Sequence, residues 1–181
     1  MFKPTTRGHF GILFNEVFLT GVGAEVGVQN GFNSLRILRY WRGKIICVDT
    51  WIKEEEFFLT QINLCGTKAI LLKGTSTGIA KSIADNSLDW VYIDAGHSFA
   101  EVKADYEAWL PKVRTGGIIS GHDYGDNDCI GVKQFMDQLG IPFELTVEDF
   151  WEGREYQSWW FIKPFPDNIG TQGDRDAEDI T

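Results

Sequence analysis

One stretch of the sequence, residues 91–124, decides the fold: it reads VYIDAGHSFAEVKADYEAWLPKVRTGGIISGHDY. Its apolar start, which ends at Ile93, predicts a buried strand, and Ser98-Phe99-Ala100-Glu101 matches the S-x-x-E capping box at the start of a helix. Gly116-Gly117 introduces a second apolar run, Ile118 to Gly121. Two strands joined by a helix of about ten residues predict parallel pairing, because parallel strands need a crossover connection.

Outward from this unit, strand and helix patterns alternate along the chain. Apolar runs predict strands at 24–28, 44–48, 69–72 and 88–93, and helical spacing predicts helices near 10–18, 32–41, 54–65, 79–83 and 132–139. In the second helix we expect Leu35 and Leu38 to be buried. The last apolar segments, 142–147 and 156–163, can pair as an antiparallel hairpin. The pattern predicts an α/β domain whose mostly parallel sheet is covered by helices on both faces.

Length and composition limit the classes of protein. The 181 residues fit one domain, which we expect over residues 1–164, followed by an acidic, flexible tail over residues 165–181. Hydrophobic residues make up 43% and charged residues 24%, which excludes a disordered chain, and no apolar run reaches the ~18 residues of a membrane span. The net charge of −9 repels phosphate backbones. We therefore expect neither a nucleic acid nor a membrane as a partner.

The cysteines indicate the cellular compartment. Cys47, Cys65 and Cys129 stand far apart and include no C-x-x-C pair. This spacing is typical of a reducing compartment rather than of a disulfide framework, so we interpret all three as inert packing thiols. The N-terminal residues show no signal-peptide pattern, because Asn15 and Glu16 interrupt the apolar stretch. We expect a cytoplasmic protein.

Chemically distinctive residues stand where the predicted strands end. The first strand continues into an E-x-G-x-x-x-G turn, Glu25 to Gly31, whose glycines let the backbone bend and approach a ligand. The later strands end at Asp49, at Gly74-Thr75-Ser76, at Asp94-Ala95-Gly96-His97 and at His122-Asp123. In open α/β sheets, ligands bind at the carboxyl ends of the strands. These residues are therefore the candidate site.

With these motifs, the chain resembles the class I S-adenosylmethionine-dependent methyltransferases. Within that class, residues 91–124 resemble the small-molecule O-methyltransferases related to macrolide-sugar methyltransferases. The resemblance spans roughly residues 8–163 and implies a Rossmann-like, doubly wound, mostly parallel seven-stranded sheet with a C-terminal antiparallel hairpin. It also implies a site for S-adenosyl-L-methionine. Gly27 and Gly31 would border its methionine part with Glu25 facing that part, Asp49 would hold the ribose, and Thr75 or Ser76 would lie beside the adenine.

The fourth and fifth strand ends carry candidates for the reaction itself. Methyl transfer to a hydroxyl requires loss of the hydroxyl proton, either to a general base or with the help of a metal ion that acidifies the hydroxyl. Asp94 and the pair His122-Asp123 end neighbouring predicted strands, so we expect them to meet as a mixed nitrogen and oxygen ligand set. The resemblance implies a divalent ion, usually magnesium, at these three positions, and His97 as the base.

Position 122 departs from the resembling family, because a histidine stands where an acid is expected. Imidazole suits zinc, iron or manganese better than magnesium, so both the presence of a metal and its identity (Mg, Mn or another) stay open. The catalytic candidates are His97, Asp94 and His122, with Asp94 also assigned to the cofactor, and the metal-ligand candidates are Asp94, His122 and Asp123.

Each of these residues also has a purely structural interpretation. Asp94 can bond amides of its own loop, His97 can be a surface residue next to a helix, and His122-Asp123 can form a capped turn. Asp49 can cap the turn that follows it. Asp105, on the polar side of the helix after His97, is expected to be solvated.

Two other functions compete with methyl transfer. Gly21 to Gly27 satisfies a G-x-G-x-x-x-G variant typical of an NAD(P)-dependent oxidoreductase, but such a turn must follow a strand, whereas here the predicted strand runs through it. A nucleotide-binding module without catalysis is the third possibility, since fold alone does not prove function.

Our hypothesis is methyl transfer from S-adenosylmethionine to a hydroxyl of a small molecule. Sugar, phenol and polyketide hydroxyls all stay open as acceptors, and N-methylation is an alternative. Tyr156, Ser158 and Trp160 share one face of the last predicted strand and can line the acceptor site, with residues 124–128 as a mobile loop over it. We expect the acceptor pocket to be open or to be completed by a second subunit of a homo-oligomer.

Overall fold

The computed structural model describes residues 1–125, 127–147, 150–151 and 154–165, and within them the predicted sheet is present. Seven strands form one sheet: β1 (Val22–Val26), β2 (Lys44–Asp49), β3 (Ala69–Lys73), β4 (Leu88–Ile93), β5 (Val113–Tyr124), β6 (Glu144–Leu145) and β9 (Gln157–Ile162). Two further short strands, β7 (Phe150–Trp151) and β8 (Arg154–Glu155), pair with each other apart from this sheet.

The strand order is β3-β2-β1-β4-β5-β9-β6. The pairs from β3 to β5 are parallel, whereas β9 is antiparallel to both β5 and β6. This arrangement confirms the mostly parallel seven-stranded sheet and its antiparallel C-terminal pair. The chain leaves β1 toward β2 and β3 and then crosses to β4, so the order reverses between β1 and β4. A crevice opens at the carboxyl ends of strands at such a reversal.

Six helices cover the sheet within the described residues: α1 (Phe10–Phe18), α2 (Phe32–Leu38), α3 (Glu54–Asn63), α4 (Ser76–Ala80), α5 (Phe99–Trp109) and α6 (Ile130–Leu139). The capping box at the start of α5 is complete, because Ser98 Oγ accepts from Glu101 N while the Glu101 carboxylate accepts from Ser98 N. None of the helices in the described ranges has both the length and the hydrophobicity that a membrane span requires.

Each face of the sheet has its own core. On one face, Val91, Trp109 and Phe135 belong to a cluster that packs α5 and α6 against the strands. On the other face, Phe14 of α1 stacks on Trp90 of β4 with ring centroids 4.0 Å apart. Because neighbouring strand residues point to opposite faces, Trp90 and Val91 contribute to different cores. Both faces are covered, as predicted.

The buried face of α2 differs from the prediction. Leu35 is 40% exposed and Leu38 is only partly buried, whereas Asn33, Ser34 and Ile37 are buried. The predicted face was wrong because the carboxylate of Glu25, at the end of β1, accepts hydrogen bonds from Asn33 and Ser34 and turns their side of the helix inward. A buried polar contact therefore sets the rotation of this helix.

Strand β1 ends two residues earlier than predicted, at Val26 instead of Val28. Gly27 has φ +86°, and a Cβ placed there would lie 1.9 Å from the carbonyl oxygen of Asp94. Only glycine allows the chain to turn so tightly against the end of β4. At the other end of the chain, the predicted acidic tail lies almost entirely in residues 166–181, outside the described residues.

Candidate functional site

A cleft of about 1080 Å³ lies at the carboxyl ends of β1, β2, β4 and β5. It gathers most of the residues that the strand ends predicted: Glu25, Gly27, Asp49, Ser76, Asp94, His97, His122 and Asp123 all line it. We call the part around Glu25, Gly27 and Asp49 the glycine-turn end. The part around Asp94, His97, His122 and Asp123 is the histidine end.

Two predicted residues, Gly31 and Thr75, are not among the residues that line the cleft. Gly31 precedes α2 with φ +77°, and a Cβ there would lie 3.3 Å from side-chain atoms of Leu64 and Thr60. Thr75 is exposed and precedes α4, and its neighbour Ser76 lines the cleft instead. Gly31 therefore shapes the turn that carries the lining residues.

Glu25 forms the floor of the glycine-turn end. Its side chain is 1% exposed and accepts hydrogen bonds from Asn33 Nδ2, at 2.9 Å, and from Ser34 Oγ. Burial raises the pKa of Glu25 from 4.5 to about 7, although these two hydrogen bonds act in the opposite direction. Burial therefore favours the neutral, protonated form of this carboxyl group.

Asp49 ties the glycine turn to the end of β2. Its Oδ2 accepts hydrogen bonds from the backbone amides of Val28 and Gln29, each at 2.9 Å, and its Oδ1 accepts one from Trp51 N at 2.8 Å. The structural interpretation of Asp49 as a cap is therefore present in the molecule. Thr50 Oγ1 also donates to Oδ1, at a long 3.4 Å. A carboxylate offers about four lone-pair directions, so a ribose hydroxyl could bind Asp49 by replacing this weak contact.

The histidine end is organised around Asp123. Its Oδ2 lies 2.7 Å from His97 Nε2, and its Oδ1 lies 2.8 Å from His122 Nδ1. Asp94 Oδ1 lies 3.9 Å from both of these histidine nitrogens. The predicted meeting of Asp94 with His122 and Asp123 is thus present in the structure, and His97 joins them.

An irregular stretch of β5 aims these side chains into the cleft. The pairing of β5 with β9 shifts register between Gly121 and Tyr124, and Asp123 has φ +62°. A shift of this kind re-aims side chains, and a non-glycine residue at positive φ is strained. On the opposite wall, a Cβ at Gly131 would lie 2.5 Å from the His97 carbonyl oxygen, so α6 begins directly against the loop that carries His97.

Contacts at the histidine end shift the pKa values of His97 and Asp123. The contact with Asp123, followed by that with Asp94, raises the pKa of His97 from 6.5 to about 10, against the effect of burial. Burial alone would raise the pKa of Asp123, but His122 and His97 outweigh it and lower that pKa. The contacts with Asp123 and Asp94 therefore favour the imidazolium form of His97.

Arg7, which the sequence analysis missed, also lines the cleft. It lies on a 3₁₀ turn, Arg7–His9, just before α1. Its guanidinium nitrogens lie 3.3 Å from Asn33 Oδ1, 3.5 Å from His122 Nε2 and 3.6 Å from Asp94 Oδ2. One indication of this role was present in the sequence, because Arg7 is a basic residue just before the first helix of an acidic chain. It belongs to no motif, so this position alone did not predict it as a site residue.

The protonation of His122 bears on metal binding. Ligand atoms of Asp94, His122 and Asp123 lie within 4.8 Å of one another, and so do those of His97, Asp123 and Cys129. In the contacts described, Arg7 donates toward His122 Nε2, so Nδ1 carries the proton that Asp123 accepts. An ion at Nδ1 would require the other neutral tautomer of His122, whose proton would lie on Nε2 and face the guanidinium of Arg7. The donor sets fit a transition metal better than magnesium. Cys129 packs against the core beneath α5 and α6, as expected, and its sulfur also lies within 4.8 Å of ligand atoms of His97 and Asp123.

The residue just before β9 contributes to the cleft. Tyr156 lines it, and its ring is parallel to that of His122 with centroids 6.4 Å apart. Ser158 and Trp160 share its face but are buried, and Ser158 Oγ lies 2.8 Å from Tyr92 Oη. Of the predicted acceptor face, only Tyr156 reaches the cleft. The loop prediction for residues 124–128 includes position 126, outside the described residues.

A second hollow of about 660 Å³ meets the cleft at His97. Phe99, Ile130 and Gln134 line it, between the first turns of α5 and α6. Asp105 belongs to α5. It is buried rather than solvated, so that expectation was wrong, and burial raises its pKa against a hydrogen bond with Ser76. His97 therefore stands between two spaces, one at the glycine turn and one at the helix starts.

Comparisons with known proteins identify the family and the fold of the chain. A protein family described as a methyltransferase domain matches residues 24–124, more than half of the chain. The uncharacterized protein y4gI of Sinorhizobium fredii is 38% identical over 70 residues, which are 38% of this chain and 8% of that protein. The chain thus spans less than a tenth of that relative.

Solved structures share the fold. The O-methyltransferase TomG from Streptomyces achromogenes, in complex with SAM, is 13% identical with a TM-score of 0.65, over 87% of this chain and 79% of that one. An rRNA methylase from Streptococcus thermophilus is also 13% identical, with a TM-score of 0.67, over 91% of this chain and 99% of that one. At such identities the likeness concerns the fold alone, and the two proteins are described with different acceptors.

Proposed function

Because the chain belongs to the methyltransferase-domain family and has the fold of the class I S-adenosylmethionine-dependent methyltransferases, we propose that it methylates a hydroxyl group of a small molecule. One observation carries the proposal: Asp94, His97, His122 and Asp123 meet beside the glycine turn, at the edge of a single cleft. A proton acceptor and a methyl-donor site in one cleft are what such a reaction requires.

The glycine-turn end fits S-adenosylmethionine. The cleft is as large as typical cofactor sites, about 300–1,000 Å³. Glu25, Asp49 and Ser76 line it at the ends of three neighbouring segments, an order that suits the methionine, ribose and adenine parts in turn. When bound, S-adenosylmethionine supplies an electrophilic methyl group on its sulfonium sulfur. The chain must hold the acceptor oxygen in line with that carbon, at about 3–3.5 Å.

In the proposed mechanism, His97 takes the proton from the acceptor hydroxyl. It must be neutral to do so, and its pairing with Asp123 raises its pKa to about 10. We therefore expect the rate to rise with pH toward that value in the absence of a metal. Asp123 orients the imidazole through Nε2, and the hollow on the far side of His97 offers the acceptor its approach.

A divalent ion is the second way to lower the pKa of the hydroxyl. Asp94, His122 and Asp123 would hold it. Dialysis against a chelator, metal analysis and re-addition of Mg²⁺, Mn²⁺ or Zn²⁺ test this part of the proposal. Full activity in excess chelator would leave proton transfer to His97 alone.

The glycines that suggested an oxidoreductase have packing roles instead. A Cβ at Gly23 would lie 1.9 Å from the Trp90 ring, and one at Gly21 would lie 1.8 Å from the Asp89 carboxylate. Gly23 also lies inside β1 rather than in a turn after it. Neither glycine is therefore available to cradle a pyrophosphate.

The partners are part of the proposal. Sugar, phenol and polyketide hydroxyls are the candidate acceptors, with an amine as the alternative, and the net charge of −9 argues against RNA. The half-open cleft suits either a free acceptor or a pocket completed by a second subunit. We propose a cytoplasmic protein, in keeping with three cysteines that form no disulfide among themselves.

Titration calorimetry tests the cofactor first. The protein should bind S-adenosylhomocysteine and not NADH, and binding of NADH alone would overturn the proposal. A library of hydroxylated metabolites, assayed for S-adenosylhomocysteine release, then tests catalysis. Cofactor binding with no turnover across sugars, phenols, polyketides and amines would favour a nucleotide-binding module.

A further inference from the structure

Arg7 is the basic side chain that bridges the two ends of the cleft. Its Nε lies 3.3 Å from Asn33 Oδ1, and Asn33 in turn donates to Glu25, the floor of the glycine-turn end. Its Nη1 and Nη2 reach His122 and Asp94 at the histidine end, at 3.5 and 3.6 Å. These contacts are longer than the about 2.7–2.9 Å of charge-assisted hydrogen bonds. The contacts of the guanidinium with Asn33, His122 and Asp94 are therefore of moderate strength.

The N-terminal segment is tied to the far edge of the sheet, which places Arg7 over the cleft. The backbone amide of Val147 donates to the carbonyl oxygen of Thr5 at 3.2 Å. Lys3 forms an ion pair with Glu144 of β6 at 2.8 Å. Because these ties precede Arg7 by only a few residues, the turn that carries it has a defined position. Arg7 is thus a built part of the site.

The charges around Arg7 match one part of the proposed cofactor. The amino-acid end of S-adenosylmethionine carries a carboxylate and an ammonium on the same carbon. Two arginines, Arg7 and Arg36, line the cleft. Arg7 is the one that contacts Asp94 and, through Asn33, the carboxyl group of Glu25. A guanidinium presents two parallel N–H groups that suit a carboxylate, whereas carboxylates suit an ammonium.

We infer that Arg7 binds the carboxylate of the methionine part of the cofactor and so sets the position of the sulfonium next to the histidine end. This inference rests on the proposed function and names a binding residue outside its motifs. In the complex, Arg7 donates a bidentate pair to the ligand carboxylate, while the ammonium lies on the side of Glu25 and Asp94. Arg7 then acts on the reaction by orienting the methyl donor.

Calorimetry with two ligands tests this assignment. S-adenosylhomocysteine carries the amino-acid carboxylate, and 5′-methylthioadenosine has the same nucleoside without it. Arg7→Met should weaken binding of S-adenosylhomocysteine about 10- to 100-fold, the range for a hydrogen bond to a charged group. The affinity of Arg7→Met for 5′-methylthioadenosine should stay within about twofold of that of the wild type, because this ligand has no carboxylate for Arg7 to bind. Arg7→Lys, which keeps the charge but not the planar pair, should fall between.

Control variants separate this role from general damage. Arg39→Met, at the exposed end of α2 outside the cleft, should bind both ligands as the wild type does. Equal weakening of both ligands in Arg7→Met would show that the residue merely shapes the cleft, and wild-type affinity for S-adenosylhomocysteine would show that it has no contact. Either result overturns the inference, as does a larger loss in Arg36→Met, the other arginine that lines the cleft.

Failure of the proposed function gives a different pattern. A wild-type protein that binds neither adenosyl ligand would refute the methyltransferase proposal and the role of Arg7 together. If S-adenosylhomocysteine binds normally to Arg7→Met but the KM for an identified acceptor rises, the proposed function stands and Arg7 belongs to the acceptor site instead.

Discussion

The glycine-turn end and the histidine end of the cleft are held together by different kinds of bond. At the glycine-turn end, Asp49 accepts three hydrogen bonds from backbone amides, so the shape depends on the main chain. At the histidine end, Asp123 holds two imidazoles through side-chain contacts of 2.7 and 2.8 Å. Backbone amides do not titrate in the working range of pH, whereas histidines do. The main-chain contacts of the first end therefore do not depend on pH, although the Glu25 carboxyl group on its floor titrates near pH 7, whereas the second end is built to exchange protons.

The largest expected effect is on the rate. His97→Ala should lower turnover by ~10²–10⁴-fold, because general base catalysis is lost, and should leave the affinity for S-adenosylhomocysteine nearly unchanged. Steady-state kinetics on an acceptor from the library, together with calorimetry, measures both quantities. A rate equal to that of the wild type would assign proton removal to His122 or to a metal.

The next effect is on the pKa of His97. Asp123→Asn removes the main partner of the imidazolium, so this pKa should fall from about 10 toward its ordinary value of about 6.5. NMR titration of the His97 ring resonances measures it. In the wild type, the stability from this pair is fully present below about pH 6.5 and is lost as the pH rises through about 10. An unchanged His97 pKa in Asp123→Asn would show that Asp123 does not raise the pKa of this imidazole.

A third effect concerns stability at the floor of the cleft. Because the pKa of Glu25 is raised in the folded protein, the contribution of this residue to the free energy of unfolding is fully present below about pH 4.5 and is lost as the pH rises through about 7. From pH 4 to pH 8, Glu25→Gln should therefore gain up to about 3 kcal/mol in unfolding free energy relative to the wild type. Urea unfolding at several pH values measures this difference. Glu107→Gln, on the exposed side of α5, should show parallel curves, and parallel curves for Glu25→Gln would contradict the assignment.

The smallest effect concerns ribose binding by Asp49. Asp49→Ala should weaken S-adenosylhomocysteine about tenfold, through the lost bond to a ribose hydroxyl. Because Asp49 also supports the turn, the decisive comparison uses the 2′-deoxy analogue of that ligand. The wild type should prefer the ligand with the hydroxyl, and Asp49→Ala should bind both equally. Asp85→Ala, on the exposed surface, serves as the control and should keep the preference. A preference that survives in Asp49→Ala would place the ribose elsewhere.

Local patterns predicted the elements that depend on local chemistry. The capping box at Ser98 located the start of α5, and the apolar run 88–93 matches β4 because its residues are buried on both faces. Prediction failed where a distant group intervened. The Glu25 carboxylate rotates α2 so that Leu35 faces outward, and the tight approach of Gly27 to Asp94 ends β1 early. Neither contact can be read from spacing along the chain.

The candidate site divides in the same way. Strand ends in a parallel sheet share one edge, so the positions of Glu25, Asp49, Asp94 and His122-Asp123 along the chain were enough to group them. The contribution of Arg7 and of Tyr156 could not be predicted in this way, because each belongs to a segment outside the parallel strands that reaches the cleft from its own direction.

The amino-acid sequence by itself determined the α/β class, the order of its elements and the carboxylates and histidines at the strand ends, since these follow from local periodicity and from the geometry of parallel strands. Only the tertiary structure decided that Asp123 joins both histidines, that Asp49 holds the glycine turn and that Arg7 lies between the two ends of the cleft. Side-chain distances of a few ångströms between residues up to 115 positions apart set the pKa values, and packing alone determines such distances.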